Sequence, residues 1–528
     1  MATSTAPPGP GLRARGPMLV VVACALLAAL ARLPGIGWSA RPDESGFTLV
    51  ARAWDPTSES PFGHYWVDRP PPMIALVRLT DLLGGVHGIR WVAVVGSALL
   101  VLAAAGVARE VARSGAPGTS DRTVVLTAIG TTALVSNAAI DLVAAKGEVL
   151  SLPLLVGSVW LVLRALRTRS AVVAAGAGLL GGTALGLKQN LVGALVFAAV
   201  LLGGEWARRT LPGRDLVRIG GAFLAGAAVP VAATVAWALA EGVSLSALWY
   251  AVFGFRADAF DVIVSGPVGA PLRRAVDIVG VGIASGLMIL LLWFVLSLRR
   301  LGRGRPVLTL AALAVLVVDC AALVLGGSYW RPYLFGLVPA AVLALALLAS
   351  GTPATTDRPA RSRVVTTAVV VVLVAGWVLS GVQWVRTWPN AGRPSTAVLV
   401  GRGIGAAAQP GDTLTVWGGR ADVQLASGMA SPYEHLWSLP ARTRDPRSER
   451  LAEVLAGPGA PTWFLAWAGL DAWEGDAMDT VGPVVRDRYV KVGTACGGHD
   501  LYRLRDEPRP APAVSCAALR AARSATAP

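Results

Sequence analysis

The sequence predicts a polytopic α-helical membrane protein of about eleven spans followed by a small water-exposed α/β domain. Three observations predict it. Of 528 residues, 54% are hydrophobic and only 15% are charged, against about 25% charged in soluble domains. Mean hydropathy is +0.59. Arginines gather in short segments between long apolar runs, and the composition turns polar after about residue 386. The net charge of +15 could otherwise point to nucleic acid. Arginine confined to alternate loops is instead the positive-inside pattern of membrane helices, so no nucleic-acid partner is expected.

Residues 1–17 are Pro/Gly-rich and basic and predict a disordered cytoplasmic N-terminus. With the next apolar run they could also form a cleaved signal peptide, but the many later spans argue against that. The membrane part, 18–385, carries apolar runs at 18–34, 91–108, 123–141, 149–166, 170–187, 190–204, 218–239, 277–297, 306–326, 333–349 and 364–385. A single helix over 170–204 would be roughly 50 Å long against a hydrocarbon core of about 30 Å. "LKQN" at 187–190 therefore marks a hairpin between two helices. Arg13 and Arg15 precede the first span. Arg109, Arg113 and Arg122, then Arg164, Arg167 and Arg169, then Arg208, Arg209, Arg214 and Arg218, then Arg299, Arg300, Arg303 and Arg305, and last Arg358, Arg361 and Arg363 fall on the same side. That side is cytoplasmic. The outer side then holds 35–90, 240–276 and everything after about 386. Within 35–90, prolines followed by mixed three- and four-residue apolar spacing predict an amphipathic helix over 72–84 on the membrane surface.

Residues 386–506 read as an α/β domain. "DTLTVWGG", "PTWFLAWAG" and "DLYRLR" have strand character, and "ADVQLASG" suits a short helix ending at Gly. The Pro/Ala-rich tail 507–528 is expected to be loose. Cys24 and Cys320 lie in apolar runs as packing residues. Cys496 and Cys516 can form a disulfide if this domain faces an oxidising compartment.

Two stretches of the outer loop carry chemistry. "RPDESGF" (41–47) places Asp43 and Glu44 just past the first span, and "HYWVDRPPPM" (64–73) follows. The carboxylates read either as a solvated loop or as the working part of a membrane enzyme. An Asp-Glu opening, then an aromatic, Asp68, a basic residue and Pro-Pro, resembles the GT-C glycosyltransferases. It is most similar to the branch of protein O-mannosyltransferases and the lipid A aminoarabinose transferase. Their Asp-Lys/His-Pro-Pro-Leu is here Asp68-Arg69-Pro70-Pro71-Pro72, with Pro in the last place. "AAKGEVLSLPLLV" (144–156), "GTALGLKQN" (182–190) and "SYWRPYLFGLVPAAV" (328–342) resemble further stretches of that family.

The resemblance implies a GT-C-like fold. It also implies transfer of a sugar from a polyprenyl-phosphate donor to an envelope glycan, lipid or protein at the outer membrane face. It gives Asp43 the role of acceptor base, with Glu44 beside it. The residues agree with that chemistry. Phosphate leaves as a stabilised anion, so one carboxylate to deprotonate a hydroxyl suffices, and direct displacement inverts the anomeric centre. Cations must then hold the phosphate. Lys146, Lys188, Arg69, Arg256 and Arg331 are the candidates, with helix-end snorkelling or interfacial anchoring as the alternative for several. Glu148 opens a helix, where it serves the dipole or the substrate. His64, Tyr65, Asp68 and Tyr329 complete the substrate-binding set, although outer aromatics also build interfacial belts. Asp43 and Glu44 could share Mg²⁺ or Mn²⁺ with the donor phosphate. Asp319, inside an apolar run, must pair or line a cavity.

The Lys-poor, Ala/Val/Arg/Gly-heavy composition fits a bacterial plasma membrane, with the active face outward. Two other functions stay open: a transporter or flippase of a lipid-linked or small solute, and a non-catalytic envelope scaffold with a sugar-binding outer domain. A transporter usually shows broken helices at the midplane and related halves; here the acidic residues gather at outer helix ends, and no halves are visible. The arginine alternation yields a direct test. A reporter active only in the cytoplasm, fused after residue 400, is expected to stay dark, and a bright signal would overturn the orientation.

Overall fold

A computed structural model describes residues 15–113, 119–266, 269–351, 359–472 and 477–525. Most of the N-terminal stretch expected to be disordered, up to residue 14, lies outside the described residues. In chain order the helices are α1 (Arg15–Leu30), α2 (Pro42–Arg52), α3 (Pro71–Gly84), α4 (Gly88–Arg113), α5 (Ser120–Val135), α6 (Gly147–Thr168), α7 (Ala171–Leu187), α8 (Gly193–Ala207), α9 (Gly213–Ala240), α10 (Leu245–Trp249), α11 (Phe255–Ser265), α12 (Gly269–Ala284), α13 (Leu287–Gly304), α14 (Pro306–Leu325), α15 (Val338–Ser350) and α16 (Pro359–Ala391). Each predicted apolar run contains a helix. Among the described residues seven helical stretches are long and apolar enough to cross a membrane, or eight if a bent pair counts as one. Helices α5, α7 and α8, with 16, 17 and 15 residues, fall short of a full span of about 20.

The chain forms two compact units. The first comprises residues up to Ile36, Arg90–Ala233 and Pro271–Thr387. Its centre is α15, buried along its whole length and packed by α5, α13 and α14. A helix apolar all round belongs inside a bundle. Small residues let other helices meet closely. A Cβ at Gly182 of α7 would lie 2.4 Å from the Ala227 carbonyl of α9, the small-residue contact common between membrane helices. The hairpin at 187–190 separates α7 from α8 as expected. The run 277–297 is not one straight span. It breaks between α12 and α13 with a 75° bend, because Gly286 adopts φ +78° and ends the helix in the left-handed region.

The second unit comprises Gly37–Ile89, Thr234–Ala270 and Trp388–Pro528. Helix α3 begins on Pro71 and Pro72, whose fixed φ suits a first turn, and exposes Leu79, Leu82 and Leu83. The C-terminal part adds α17 (Thr396–Gly405), β1 (Leu414–Trp417), α18 (Ala421–Ser427), α19 (Ser438–Arg444), α20 (Glu449–Ala456), β2 (Trp463–Ala466), α21 (Ala477–Arg488), β3 (Tyr489–Ala495), β4 (His499–Leu504) and α22 (Cys516–Ala525). The sheet order is β1-β2-β4-β3. β1 and β2 run parallel, and β4 is antiparallel to both β2 and β3. Two-residue alternation sorts the strands. Leu414, Val416, Trp463, Leu465 and Leu501 face α17 and α18, and Trp417, Phe464, Ala466 and Tyr489 face α20 and α21.

The tail from 507 is not loose throughout. Arg509 grips the buried Asp412 carboxylate at 2.9 Å, Leu519 of α22 is buried, and Cys496 and Cys516 form a disulfide. Burial pushes the Asp412 carboxyl up, but the Arg509 bonds outweigh it and hold it below its usual range. Composition alone hides the Arg509–Asp412 anchor, whose partners lie 97 positions apart, whereas the disulfide is the one expected of the two cysteines. Native mass mapping should find Cys496 linked to Cys516. Replacing both by Ala should cost the domain about 2–4 kcal/mol, read as faster hydrogen exchange in α22 and its neighbours.

Candidate functional site

Residues 37–89, 234–270 and 388–528 bring one set of predicted residues together. Pro42 opens α2, so Asp43 and Glu44 fall in its first turn, where free backbone N–H groups favour negative charge. Their side chains then diverge. Glu44 is 2% exposed, and its Oε2 accepts the Arg41 backbone N–H at 2.8 Å. It is the reciprocal cap of its own helix. Asp43 is half-buried, and its Oδ1 accepts the indole N–H of Trp437 at 3.1 Å. The Trp437 ring leans on Phe47 at 5.6 Å. It can do so because residue 46 is Gly: a Cβ there would sit 2.2 Å from Trp437.

Behind Phe47 lies a charged group. The Arg69 guanidinium lies over the Phe47 ring at 5.5 Å and reaches the Asp68 carboxylate at 2.9 Å. Arg256 pairs with the same carboxylate. Arg256 follows a π-helical turn, Tyr250–Gly254, whose extra residue shifts the helix face. Phe255 there packs on Trp66 at 4.5 Å, and Arg444 covers Trp66 at 4.7 Å. The Tyr250 hydroxyl donates to Asp258 at 2.8 Å. Burial and that carboxylate push its phenol up to about 12. Asp43, Asp68, Arg69 and Arg256 thus share one connected set of contacts.

His64 and Tyr65 both bond to the C-terminal part. His64 Nε2 meets the Ser431 carbonyl at 2.7 Å. The Tyr65 hydroxyl accepts the Ser431 N–H at 2.8 Å, and Tyr65 is 4% exposed. With the Trp66 N–H on the Glu434 carbonyl at 3.1 Å, these residues stitch the segment 37–89 to the C-terminal part.

The remaining candidates belong to the other compact unit. Lys146 precedes α6 and Glu148 lies in its first turn. Lys188 pairs with the buried Glu148 and lies 4.5 Å from the centre of the Tyr333 ring. A small cavity, about 20 Å³, is lined by Glu148, Lys188, Tyr333 and Asp319. Asp319 therefore lines a cavity, and its Oδ2 has no hydrogen-bond partner among the described residues. Arg331 makes a two-point pair with Asp277 of α12 at 2.6 and 2.7 Å. Tyr329, at φ +51°, places its hydroxyl 3.3 Å from the Val324 carbonyl at the end of α14. It serves the helix end.

A shared divalent ion needs both carboxylates turned to one point. Glu44 is turned into its own helix, and no group of three or more His, Cys, Asp or Glu side chains among the described residues is placed to hold a metal ion. With Glu44 committed to its own helix, the Asp43–Glu44 pair as it stands is not arranged to share a Mg²⁺ or Mn²⁺ ion.

Sequence reasoning missed Trp437, Arg444, Tyr250 and Asp258. Trp437 lies 394 positions from Asp43, and no local pattern marks it.

No protein-family model and no curated protein matches this chain. Solved structures do. The crystal structure of ArnT from Cupriavidus metallidurans bound to undecaprenyl phosphate is similar at a TM-score of 0.59 and 15% identity, covering 93% of this chain and 98% of that one. Its apo state gives 0.57. The apo oligosaccharyltransferase of Archaeoglobus fulgidus gives 0.51 at 13% identity, covering 94% and 75%. The likeness shows the fold: the helical part with its C-terminal α/β domain shares the architecture of those structures.

Replacing Gly46 by Ala forces Trp437 off α2. It should lower the thermal stability of this part by about 1–3 kcal/mol, as overpacking does. Loss of the native near-ultraviolet signal, with helix content kept, would report the displaced ring.

Proposed function

We propose that the protein is an inverting glycosyltransferase. It moves a sugar from a polyprenyl-phosphate donor to an envelope glycan, lipid or protein on the outer face of the plasma membrane. The observation that carries the reading is Asp43 in the first turn of α2, its carboxylate oriented by the Trp437 N–H, in a chain with the fold of a protein solved with undecaprenyl phosphate. The arginine alternation supports the outward orientation.

Asp43 accepts the proton of the incoming hydroxyl as its oxygen attacks the anomeric carbon. The bond from that carbon to the phosphate oxygen breaks on the opposite face, and the phosphate departs as an anion. Trp437 orients the base through its Oδ1. Glu44 caps the helix that carries Asp43 and is a positioning residue. Arg256 and Arg69 are the cations whose contacts connect to α2. Both already neutralise Asp68, so a phosphate must compete with that carboxylate, and the two-point grip of Arg favours it in doing so. Lys188 and Arg331 are further phosphate candidates. Each is paired with a carboxylate as well.

Asp43→Asn keeps the shape and removes the base. Transfer by the purified variant should fall about 10²–10⁴-fold, with donor binding retained. Near-normal transfer would return Asp43 to a solvated helix start.

A further inference from the structure

The C-terminal sheet carries a cleft of about 440 Å³ that the proposed reaction does not use. Its cause is local. On this face Phe464, Val481, Val485 and Tyr489 fill the layer between the sheet and α21. Toward the carboxyl end of β2 the strand presents Ala466, and α21 presents Gly482; both line the cleft. A Cβ on Gly482 would meet only the ends of Arg486 and Met478, the nearest at 3.3 Å. Two small residues leave the layer open where an aromatic and an aliphatic residue close it further along. The position is also telling. In open α/β sheets, ligands sit outside the carboxyl ends of the strands. Here β1 and β2 are parallel, and the cleft lies where the chain leaves β2 for Asp471.

The polar lining is mixed. Register places Ala466 beside Asp500 and Tyr502 beside Lys491. Asp500 pairs with Lys491 at 2.7 Å, and the Tyr502 hydroxyl lies 3.4 Å from Asp500. Asp471 and Arg486 are exposed at the rim. Two carboxylates and two cations cancel, so no net charge selects a phosphate or an amine. What remains is carboxylate acceptors, cationic donors and the two tyrosines Tyr489 and Tyr502, in a volume ordinary for a small-molecule site, about 300–1,000 Å³. Vicinal hydroxyls, each able to donate and accept, match such a lining, and the apolar face of a sugar ring matches a tyrosine.

We propose that this cleft is a carbohydrate-binding site that takes a neutral sugar unit of a glycan. None of its lining residues belongs to the Asp43 group, and the proposal does not rest on the transferase reading.

The test uses the full-length protein in detergent and saturation-transfer NMR. The probes are methyl glycosides of mannose, glucose, galactose and arabinofuranose, with glucose 6-phosphate as the anionic comparison. At least one neutral glycoside should receive saturation. Asp471→Ala, at an exposed position, should weaken its binding about tenfold, and Gly482→Leu, which fills the cleft, should abolish it. Gly482 touches none of the residues of the Asp43 group, so the loss in that variant separates this site from the proposed catalytic one. Three results would overturn the proposal: no saturation of any neutral glycoside, equal saturation in the Asp471 and Gly482 variants, or preference for the phosphorylated sugar.

Discussion

The docking of the segment 37–89 onto residues 431–437 is the contact on which the candidate site depends. The segment has little secondary structure between α2 and α3 and cannot bury enough surface alone to offset its ordering entropy. It is held from outside. His64 and Tyr65 bond to Ser431, and the Trp437 ring enters the notch left by Gly46 to reach Asp43. The indole N–H on Oδ1 helps fix the rotamer of Asp43. Residues almost four hundred positions apart thereby form one working surface.

Charge compensation is the second organising rule. Arg256 and Arg69 share Asp68, Lys188 holds Glu148, and Arg331 holds Asp277. A charge left unpaired in an apolar environment is costly, whereas a hydrogen-bonded pair is tolerated. On the proposed reading, a phosphate bound by these cations would replace a carboxylate partner.

The C-terminal domain shows how residue size shapes a surface. One sheet face is filled by Leu, Val and Trp against two helices. The other is filled by aromatics until Ala466 and Gly482 coincide and the layer opens. The disulfide and the Arg509–Asp412 pair tie the following chain back onto this domain, which anchors α22.

Local patterns were legible in the sequence. Apolar runs gave the helices, "LKQN" their hairpin, alternation with Gly turns the strands β1, β2 and β4, and Pro71-Pro72 the start of α3. Asp43 and the Asp68-Arg69 segment stood out for the same reason, since each is a short contiguous motif. Tertiary structure alone decided the rest. It turned Glu44 into a cap, made Tyr65 a buried tie, assigned Asp277 to Arg331, bent α12 away from α13 at Gly286, and ordered part of the tail. The physical reason is range. Helix and strand periodicity and turn chemistry act within a few residues, so a window of sequence contains them. An ion pair, an indole on a carboxylate or an open layer depends on which distant side chains packing brings within a few ångströms, and no local window holds that.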